Sequence, residues 1–285
     1  MQAKIIDGKA VAEQLRAQFK LQVEKFEKKN KSRPGLAVVL AGDDPASKVY
    51  VRNKIAGCEQ IGINSFAYYL DGDTKQEELD ELIDRLNADK NVDGILVQLP
   101  LPKQLNERRT LSRILASKDV DGFHPENAGS LMLGEDCLVA CTPAGAVELI
   151  KSTGIDMAGK HAVILGRSNI VGKPALFLLL QQNCTVTVCH SKTQNLAKIT
   201  KTADILVAAI GKKEFVTGDM VKPGAVVIDV GINRHDGKLY GDVNFAEVSK
   251  VAGYITPVPG GVGPMTITML LSNTLKVAEL NVKKQ

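Results

Sequence analysis

Short apolar segments alternate with longer amphipathic segments along almost the whole 285-residue chain. Apolar runs of this length, bounded by Gly, Asp and other polar residues, are typical of strands, and the first three are expected to be buried. The runs are LAVVLAG (36–42), SFAYYL (65–70), DGILVQLP (93–100), HAVILG (161–166), TVTVCH (185–190), DILVAAIG (204–211) and AVVIDVG (225–231). Helical segments separate most of them, and this alternation predicts an α/β fold with a parallel sheet.

The predicted strands fall into two series, which flank a Gly- and Pro-containing stretch at residues 129–145. A chain of this length with 44% hydrophobic residues can fill two ordinary cores. We therefore expect two domains. One comprises residues 1–140 together with a C-terminal helix at 266–285 that returns to it, and the other comprises residues 141–265.

Composition excludes several classes of function. Lys and Arg outnumber Asp and Glu by only 36 to 32 and are scattered, so no nucleic-acid partner is expected. The five cysteines lack CxxC or Cys/His ligand spacing, which argues against a disulfide framework and a metal site and favours buried thiols in a reducing compartment. The N-terminal residues lack the apolar run of a signal peptide, and no apolar stretch reaches membrane length. We expect a cytoplasmic protein with no membrane partner.

A candidate phosphate site lies in HAVILGRSNIVGKP, where a strand leads into Gly166, a polar loop, Gly172 and the helix-starting Pro174. This order predicts free backbone amides at a helix N-terminus. The segment is not a P-loop, because five residues separate its glycines and Pro follows the lysine. It is not GxGxxG either, so a purely structural turn stays open as an alternative.

The next strand ends in His190, Ser191 and Lys192, where an NAD site usually has an acidic residue for the ribose. Together with Arg167, these donors can meet a ribose phosphate, which favours NADP over NAD. The alternative is that Arg167 and Lys192 are ordinary solvated charges.

In the first series, SKVYVRNK would place Ser47, Tyr50 and Lys54 on one side of a helix. Gln98 follows one strand and Asp121 lies in DVDGFHPENAG, so these residues can meet at the carboxyl ends of parallel strands. Each also has a structural interpretation, as a packed ring, a solvated charge or a turn former.

These segments, together with VQLPLP, VIDVGIN and TPVPGGVGPMT, occur in the order of the bifunctional methylenetetrahydrofolate dehydrogenase/cyclohydrolase family, which the chain resembles over essentially its whole length. The chain differs from the common family pattern at Ala140, Ala144 and Ala146. The resemblance implies an N-terminal α/β substrate domain, a Rossmann-type NADP-binding domain and a cleft between them. It also implies tetrahydrofolate derivatives as substrates and a homodimer joined through the cofactor domains.

The resemblance further assigns residues to roles. It implies catalytic roles for Lys54, Tyr50 and Gln98. The implied substrate-binding residues are Ser47, Tyr50, Gln98, Leu99, Pro100, Asp121, Pro259, Gly260 and Gly261. The implied cofactor-binding residues are Gly166, Arg167, Ser168, Val171, Gly172, His190, Ser191, Ile232 and Thr274. Cys141 is placed near the cofactor, and a buried structural thiol is an equal alternative.

The chemistry of the implied reaction suits an amine at position 54. Hydride loss leaves a cation on the folate, and an ammonium about 4 Å away would be repelled by roughly 4 kcal/mol at an effective dielectric near 20. This repulsion favours the neutral amine, which can take a proton during hydrolysis while Gln98 holds its nitrogen. Two rival functions stay open from the residues alone: another two-domain NAD(P)-dependent dehydrogenase acting on a keto acid or amino acid, and a non-catalytic NADP sensor.

Overall fold

The structure, a computed structural model, describes residues 2–283 and divides them into two compact units. Residues 14–141 and 267–283 form one unit, called here the three-strand unit. Residues 2–13 and 142–266 form the other, called the six-strand unit. Within the described residues, no helix is both long and apolar enough to cross a membrane.

The helices and strands occupy the segments that the apolar pattern predicts, with short additional elements. The helices are α1 (Gly8–Asn30), α2 (Pro45–Ile61), α3 (Gln76–Ala88), α4 (Glu107–Arg113), α5 (Pro125–Leu133), α6 (Cys141–Ser152), α7 (Gly172–Gln181), α8 (Leu196–Thr200), α9 (Phe245–Val248) and α10 (Val262–Lys283). The strands are β1 (Lys4–Ile5), β2 (Gly35–Ala41), β3 (Asn64–Leu70), β4 (Gly94–Val97), β5 (His161–Leu165), β6 (Thr185–Cys189), β7 (Ile205–Ala208), β8 (Val226–Asp229), β9 (Asn233–His235), β10 (Lys238–Tyr240) and β11 (Tyr254–Ile255).

The three-strand unit is built on a parallel sheet in the order β3-β2-β4. Every residue of the central strand β2 is buried, and its alternate side chains enter two separate cores. One face packs with apolar residues of α2 and α10, and the other packs with apolar residues of α3. The expectation that SFAYYL is a buried strand is wrong, because β3 is an edge strand whose Tyr69 is 64% exposed.

Helix α2 begins and ends with clear local signals. The Asp44 carboxylate accepts from the backbone N–H of Ser47 at 2.7 Å, Pro45 occupies the first turn, and Gly62 ends the helix in the left-handed conformation. The buried residues of α2 recur at steps of three and four, so they form one stripe facing the core. They are Ser47, Val51, Lys54, Gly57, Cys58 and Ile61.

The six-strand unit contains a parallel sheet in the order β1-β11-β8-β7-β5-β6 and a separate antiparallel hairpin of β9 and β10. The two units together confirm the predicted two-domain α/β fold with parallel sheets. In the register, Leu165 is opposite both Cys189 and Ala208, and Ala208 is opposite Asp229. The strands β8, β7, β5 and β6 therefore end at one level. The chain leaves β5 for β6 on one side and later places β7 on the other, which makes a topological switch point where ligands bind in open α/β sheets.

The N-terminal residues differ from the predicted domain division. Residues 2–13 group with the six-strand unit because Lys4 and Ile5 pair with Tyr254 and Ile255 of β11. This pairing between segments about 250 residues apart has no local signature in the sequence.

Candidate active site

Lys54 and Gln98 form a hydrogen-bonded pair in the three-strand unit. The Nζ of Lys54 donates to Oε1 of Gln98 at 3.0 Å, as the sequence analysis predicted. The Nε2 of Gln98 donates to the carbonyl of Leu99 at 2.6 Å, which directs the amide oxygen toward the amine. Lys54 is only 7% exposed, and no carboxylate of the described residues lies within ion-pair distance of it. A buried amine that rests on a neutral amide can exchange a proton without first breaking an ion pair.

Asp121 and Cys141 lie in the electrostatic surroundings of this amine. Burial raises the pKa of Asp121, and the positive charge of Lys54 and a hydrogen bond from Cys141 oppose that rise. Burial raises the pKa of the Cys141 thiol well above its usual value, and the Asp121 charge acts in the same direction. The thiol also donates to the carbonyl of Val120 at 3.2 Å. Cys141 is therefore a protonated donor at neutral pH, unsuited to attack as a thiolate.

The other predicted substrate residues of this unit differ in accessibility. Tyr50, one turn before Lys54, is 40% exposed and presents its ring at the surface, and Pro100 is exposed as well. Leu99 is partly exposed and is joined to Pro100 by a cis peptide bond. Ser47 is only 2% exposed, so in this structure a ligand would reach little of its side chain.

Asn273 is a residue of this site that the sequence analysis missed. Its Nδ2 donates to the carbonyls of Val120 at 2.8 Å and Val139 at 2.9 Å, and so fixes the segment that carries Asp121. The available signal was an amide in the segment MLLSNTL, whose other residues are apolar or carry a hydroxyl.

The predicted cofactor contact of Thr274 does not fit the structure. Thr274 is fully buried in the three-strand unit, and its hydroxyl donates to the carbonyl of Leu270 at 2.9 Å. Because the hydroxyl is bonded within α10, it is not presented to a ligand.

A pocket of about 320 Å³ opens at the switch point of the six-strand unit. Five of the predicted cofactor residues line it, because they follow the aligned ends of β5 and β6. The lining residues are Leu165, Gly166, Arg167, Ser168, Cys189, His190, Ser191, Leu196, Ala209, Ile210, Lys212 and Phe215. The last four belong to the segment after β7, which the sequence analysis did not consider, although the same strand-end rule applies to DILVAAIG.

At two of the predicted cofactor-binding glycines, a neighbouring backbone segment lies so close that no side chain would fit. Gly166 has φ +117°, and a Cβ there would lie 2.1 Å from the carbonyl oxygen of Ala209. A Cβ at Gly172 would lie 2.2 Å from the carbonyl oxygen of Gly166. The segment between them can therefore fold tightly beneath the pocket.

The prediction of free amides at the start of α7 is wrong for two of them. The Ser168 Oγ accepts from the backbone N–H groups of Val171 at 3.1 Å and Gly172 at 3.3 Å. The serine hydroxyl accepts from N–H groups at the helix N-terminus, as capping hydroxyls do. These two amides are therefore not available to a phosphate. Side chains must then supply much of the attraction for an anion.

The charges around the pocket suit an anionic ligand. Arg167 and Lys212 are among the lining residues, and none of those residues is Asp or Glu. The Nδ1 of His190 accepts from the backbone N–H of Lys192 at 3.1 Å, which fixes the ring at the end of β6.

The remaining predicted residues of the six-strand unit lie on two loops. Ile232, after β8, is 48% exposed. Gly260 has φ +104° and follows the cis Val258–Pro259 bond, and Gly261 packs so closely against Gly8 that a Cβ at Gly8 would lie 1.9 Å from its carbonyl oxygen. The binding roles of these residues stay predictions.

Comparison with known proteins identifies the class. A family model described as the tetrahydrofolate dehydrogenase/cyclohydrolase catalytic domain matches residues 6–121, and one described as the NAD(P)-binding domain of the same family matches residues 140–282. The bifunctional protein FolD of Acetivibrio thermocellus is 57% identical over 284 residues, which are 99% of each chain.

Solved structures give the same assignment. The FolD methylenetetrahydrofolate dehydrogenase/cyclohydrolase of Campylobacter jejuni has a TM-score of 0.95 at 49% identity, covering 98% of this chain and 99% of that one. The FolD enzyme of Trypanosoma brucei, solved with NADP and an inhibitor, has a TM-score of 0.95 at 39% identity, covering 99% of each chain.

A catalytic α/β domain joined to an NAD(P)-binding α/β domain defines a two-domain, dinucleotide-dependent enzyme. The chain belongs to the tetrahydrofolate dehydrogenase/cyclohydrolase family, as its sequence segments predict, and it is a bifunctional enzyme with both activities. The rival keto-acid or amino-acid dehydrogenase is not favoured.

Proposed function

We propose that the enzyme oxidises 5,10-methylenetetrahydrofolate to the methenyl form with NADP and then hydrolyses that product to 10-formyltetrahydrofolate. The observation that carries the proposal is the buried Lys54 Nζ held at 3.0 Å from the Gln98 amide oxygen. The rival NADP sensor has no use for a buried amine at this position.

Lys54 is the proton acceptor of the hydrolytic step in this proposal. The methenyl group is cationic, and its charge favours the neutral amine at close range. The amine takes a proton from the attacking water or from the tetrahedral intermediate, while Gln98 fixes the direction of its lone pair. No ion pair joins Lys54 to a carboxylate within the described chain, so this transfer does not first have to break one.

Asp121 and Tyr50 bind the pterin in this proposal. A carboxylate can accept two parallel hydrogen bonds from the ring's amino and amide groups, and the exposed Tyr50 ring offers a flat apolar face. The segment with Pro259, Gly260 and Gly261 is proposed as a further wall for the substrate.

NADP supplies the hydride acceptor when bound, and the six-strand unit holds and orients it. Arg167 and Ser191 are proposed to meet the ribose phosphate, because both line a pocket that has basic residues and no acidic ones in its lining. Ile232 is proposed to contact the nicotinamide. The predicted division, with folate binding in 1–140 and 266–285 and cofactor binding in 141–265, accompanies this assignment, except that residues 2–13 group with the six-strand unit.

We also propose that the enzyme is a cytoplasmic homodimer joined through its cofactor domains. The cysteine pattern supports the compartment, since four of the five thiols are buried and all five are free. A monomeric mass at micromolar concentration would contradict the dimer.

The test is an assay of both steps in the parent and in Lys54→Met. The enzyme is incubated with methylenetetrahydrofolate and NADP or NAD while reduced cofactor and methenyl absorbance are followed, and hydrolysis of methenyltetrahydrofolate is followed separately. The parent should act with NADP in preference to NAD, and K54M should lose at least about 100-fold of the hydrolysis rate.

Lys48→Met is the matched control, because Lys48 lies on the same helix with an exposed amine paired to Asp43 at 2.7 Å. K48M should hydrolyse at the parent rate. No product from any folate in the parent, or parent-rate hydrolysis by K54M, would overturn the proposal.

A further inference from the structure

Asp242 is a fully buried carboxylate beside the pocket segment that follows β7. Its Oδ2 accepts from the backbone N–H groups of Ile210 at 2.6 Å and Gly211 at 3.0 Å. Its Oδ1 accepts from the backbone N–H of Lys212 at 2.8 Å and from Nδ2 of Asn233 at 2.9 Å. One side chain thus holds three consecutive amides, which we call the 210–212 segment.

Asp229, the last residue of β8, holds Asp242 in turn. Its Oδ1 accepts from the backbone N–H groups of Asp242 at 2.9 Å and Gly231 at 3.0 Å. Its Oδ2 accepts from the backbone N–H of Val243 at 3.0 Å. The two carboxylates therefore connect the end of β8, the 210–212 segment and the residue before Ile232.

The surrounding backbone is shaped to admit these two carboxylates. A Cβ at Gly231 would lie 2.2 Å from the Asp242 carboxyl, and a Cβ at Gly241 would lie 1.7 Å from Oδ2 of Asp229. Neither carboxylate has a Lys, Arg or His partner within ion-pair distance in the part of the chain that is described. Burial of unpaired carboxylates is costly and is offset here by six backbone N–H donors.

The position of the held amides suggests more than packing. Ile210 and Lys212 line the pocket, and Lys212 places its Nζ 5.5 Å from the centre of the Phe215 ring, which lines it too. A backbone segment fixed before a ligand arrives avoids the ordering cost that a loose segment adds to binding.

We propose that Asp242, held by Asp229, is a positioning residue that fixes the 210–212 segment as a preformed third wall of the dinucleotide pocket. This inference rests on the proposed function, since it takes the pocket beside Arg167 as the NADP site. Neither carboxylate lines the pocket, so both act through the backbone that they hold.

The variant Asp242→Asn keeps the size of the side chain and changes its hydrogen bonding. Its amide nitrogen is a donor and would face N–H groups that need an acceptor. The 210–212 segment should loosen, and the Kd for NADP should rise about tenfold, the effect of losing one hydrogen bond to a charged group. The KM for NADP should rise in parallel, while kcat at saturating NADP should change much less.

Asp204→Asn is the matched control in the same sheet. Asp204 directly precedes β7, at the amino ends of the strands, whereas the pocket lies at their carboxyl ends. Its carboxylate accepts from the backbone N–H of His161 at 3.0 Å and from Lys222 Nζ at 2.6 Å. D204N removes a comparable bond to backbone but should leave the Kd for NADP unchanged. Hydrolysis of methenyltetrahydrofolate without NADP should be retained in both variants, since Lys54 and Gln98 belong to the other unit.

The experiment is calorimetric titration of NADP into the three proteins, together with hydrogen exchange of the peptide covering residues 209–213 without cofactor. A parent that does not bind NADP defeats the proposed function and, with it, the basis of the inference. A parent that binds, with D242N binding equally well, overturns the inference alone.

If D242N does not fold, hydrogen exchange in the parent and in Asn233→Ala provides a second test. The amides of residues 210–212 should exchange slowly in the cofactor-free parent, and Asn233→Ala, which removes one donor to Asp242, should speed that exchange. Rapid exchange of these amides in the parent would show that no wall is preformed.

Discussion

At the scale of single residues, the informative feature is the amine of Lys54, which lies on the buried face of α2. Val51 and Cys58, which share this face of α2, pack in the hydrophobic cluster with β2. An amine there costs free energy unless it is hydrogen-bonded, and Gln98 provides that bond. An amide accepts from either form of the amine, whereas a carboxylate would favour the ammonium. With Gln at position 98, the hydrogen-bond partner of Lys54 therefore adds no negative charge beside the amine.

Replacement of Gln98 by Glu should therefore impair hydrolysis more than folding. A carboxylate about 3 Å from Nζ favours the ammonium by roughly 4 kcal/mol or more at an effective dielectric near 20. We expect methenyltetrahydrofolate hydrolysis to fall at least about 100-fold at neutral pH and to recover in part at more alkaline pH. The measurement is the pH profile of the hydrolysis rate.

Gln104→Glu controls for the added charge in the same unit. Gln104 is exposed, and its Nε2 donates to the carbonyl of Gly72 at 2.6 Å. Q104E should keep the parent profile. A Q98E enzyme with the parent rate and profile would show that the charge state of Lys54 does not limit hydrolysis.

At the scale of elements, strand ends position Gln98 in the three-strand unit and the pocket residues in the six-strand unit, and the sequence predicts most of these strands. All seven predicted strands exist, because an apolar run between polar breaks is a local signal. The Lys54–Gln98 bond was predictable because Lys54 lies on α2 and Gln98 directly follows β4, so both have fixed positions. The pairing of β1 with β11 was not predictable, because both strands have two residues and no local sequence signal specifies which strand they join.

Other misses at this scale concern how side chains are used within a correct element. Ser168 bonds the amides of α7 that the glycine pattern left open, and Thr274 faces inward on α10 and not toward a ligand. Both depend on tertiary context and rotamers, which a motif does not encode. The segment with Lys212 was missed for a simpler reason, since its strand-end position was visible in the sequence.

Gly166→Ala tests the tight turn after β5. The positive φ of Gly166 is unfavourable for Ala, and the added Cβ would meet the Ala209 carbonyl at 2.1 Å, so the backbone must move. We expect a loss of stability well above about 1 kcal/mol and a weaker Kd for NADP. Thermal unfolding and calorimetric titration measure the two effects.

Gly154→Ala separates backbone strain from the clash. Gly154 has φ +75°, and a Cβ there would meet nothing within 4 Å. G154A should lose only about 1 kcal/mol, the cost of the left-handed conformation, and should bind NADP normally. If the two variants lost equal stability and G166A bound NADP normally, the contact of Gly166 with the Ala209 carbonyl would not matter for the pocket.

At the scale of the whole molecule, buried carboxylates make stability depend on pH in opposing directions. Burial raises the pKa of Asp93, Asp119, Asp121 and Asp229. A hydrogen bond from the Lys222 side chain, and a second one from the backbone N–H of His161, lower the pKa of Asp204. A carboxyl with a raised pKa binds its proton more tightly in the folded state. Its contribution to stability is therefore largest at low pH and is lost as pH rises through the folded pKa.

Asp229 should dominate this dependence in the six-strand unit. Burial, with the nearby Asp242 charge, raises its pKa from 3.8 to about 7, although the amides of Asp242, Val243 and Gly231 oppose the rise. The folded state holds the proton between these values and the unfolded state does not, so stability falls with rising pH across this range, by about 4 kcal/mol in all. The variant Asp229→Asn cannot titrate and should lack this fall. The difference in unfolding free energy between parent and D229N should thus shrink from about pH 4 to pH 7 and level off above.

The matched variant for this prediction is Asp204→Asn, because the pKa of Asp204 is shifted the other way. Its carboxylate stabilises the fold above the unfolded pKa, so the difference between parent and D204N should grow as pH rises from the acid range and then stay constant. Calorimetric unfolding of the three proteins over the same pH series gives both differences. Opposite slopes for the two variants are expected. A parent-minus-D229N difference that is flat from acid to neutral pH would show that Asp229 does not hold a proton in the folded enzyme.

Asp229 also anchors Asp242, so a falling slope would mean that the support of the 210–212 segment changes its charge near neutral pH. The Kd for NADP should then be compared across the same pH series.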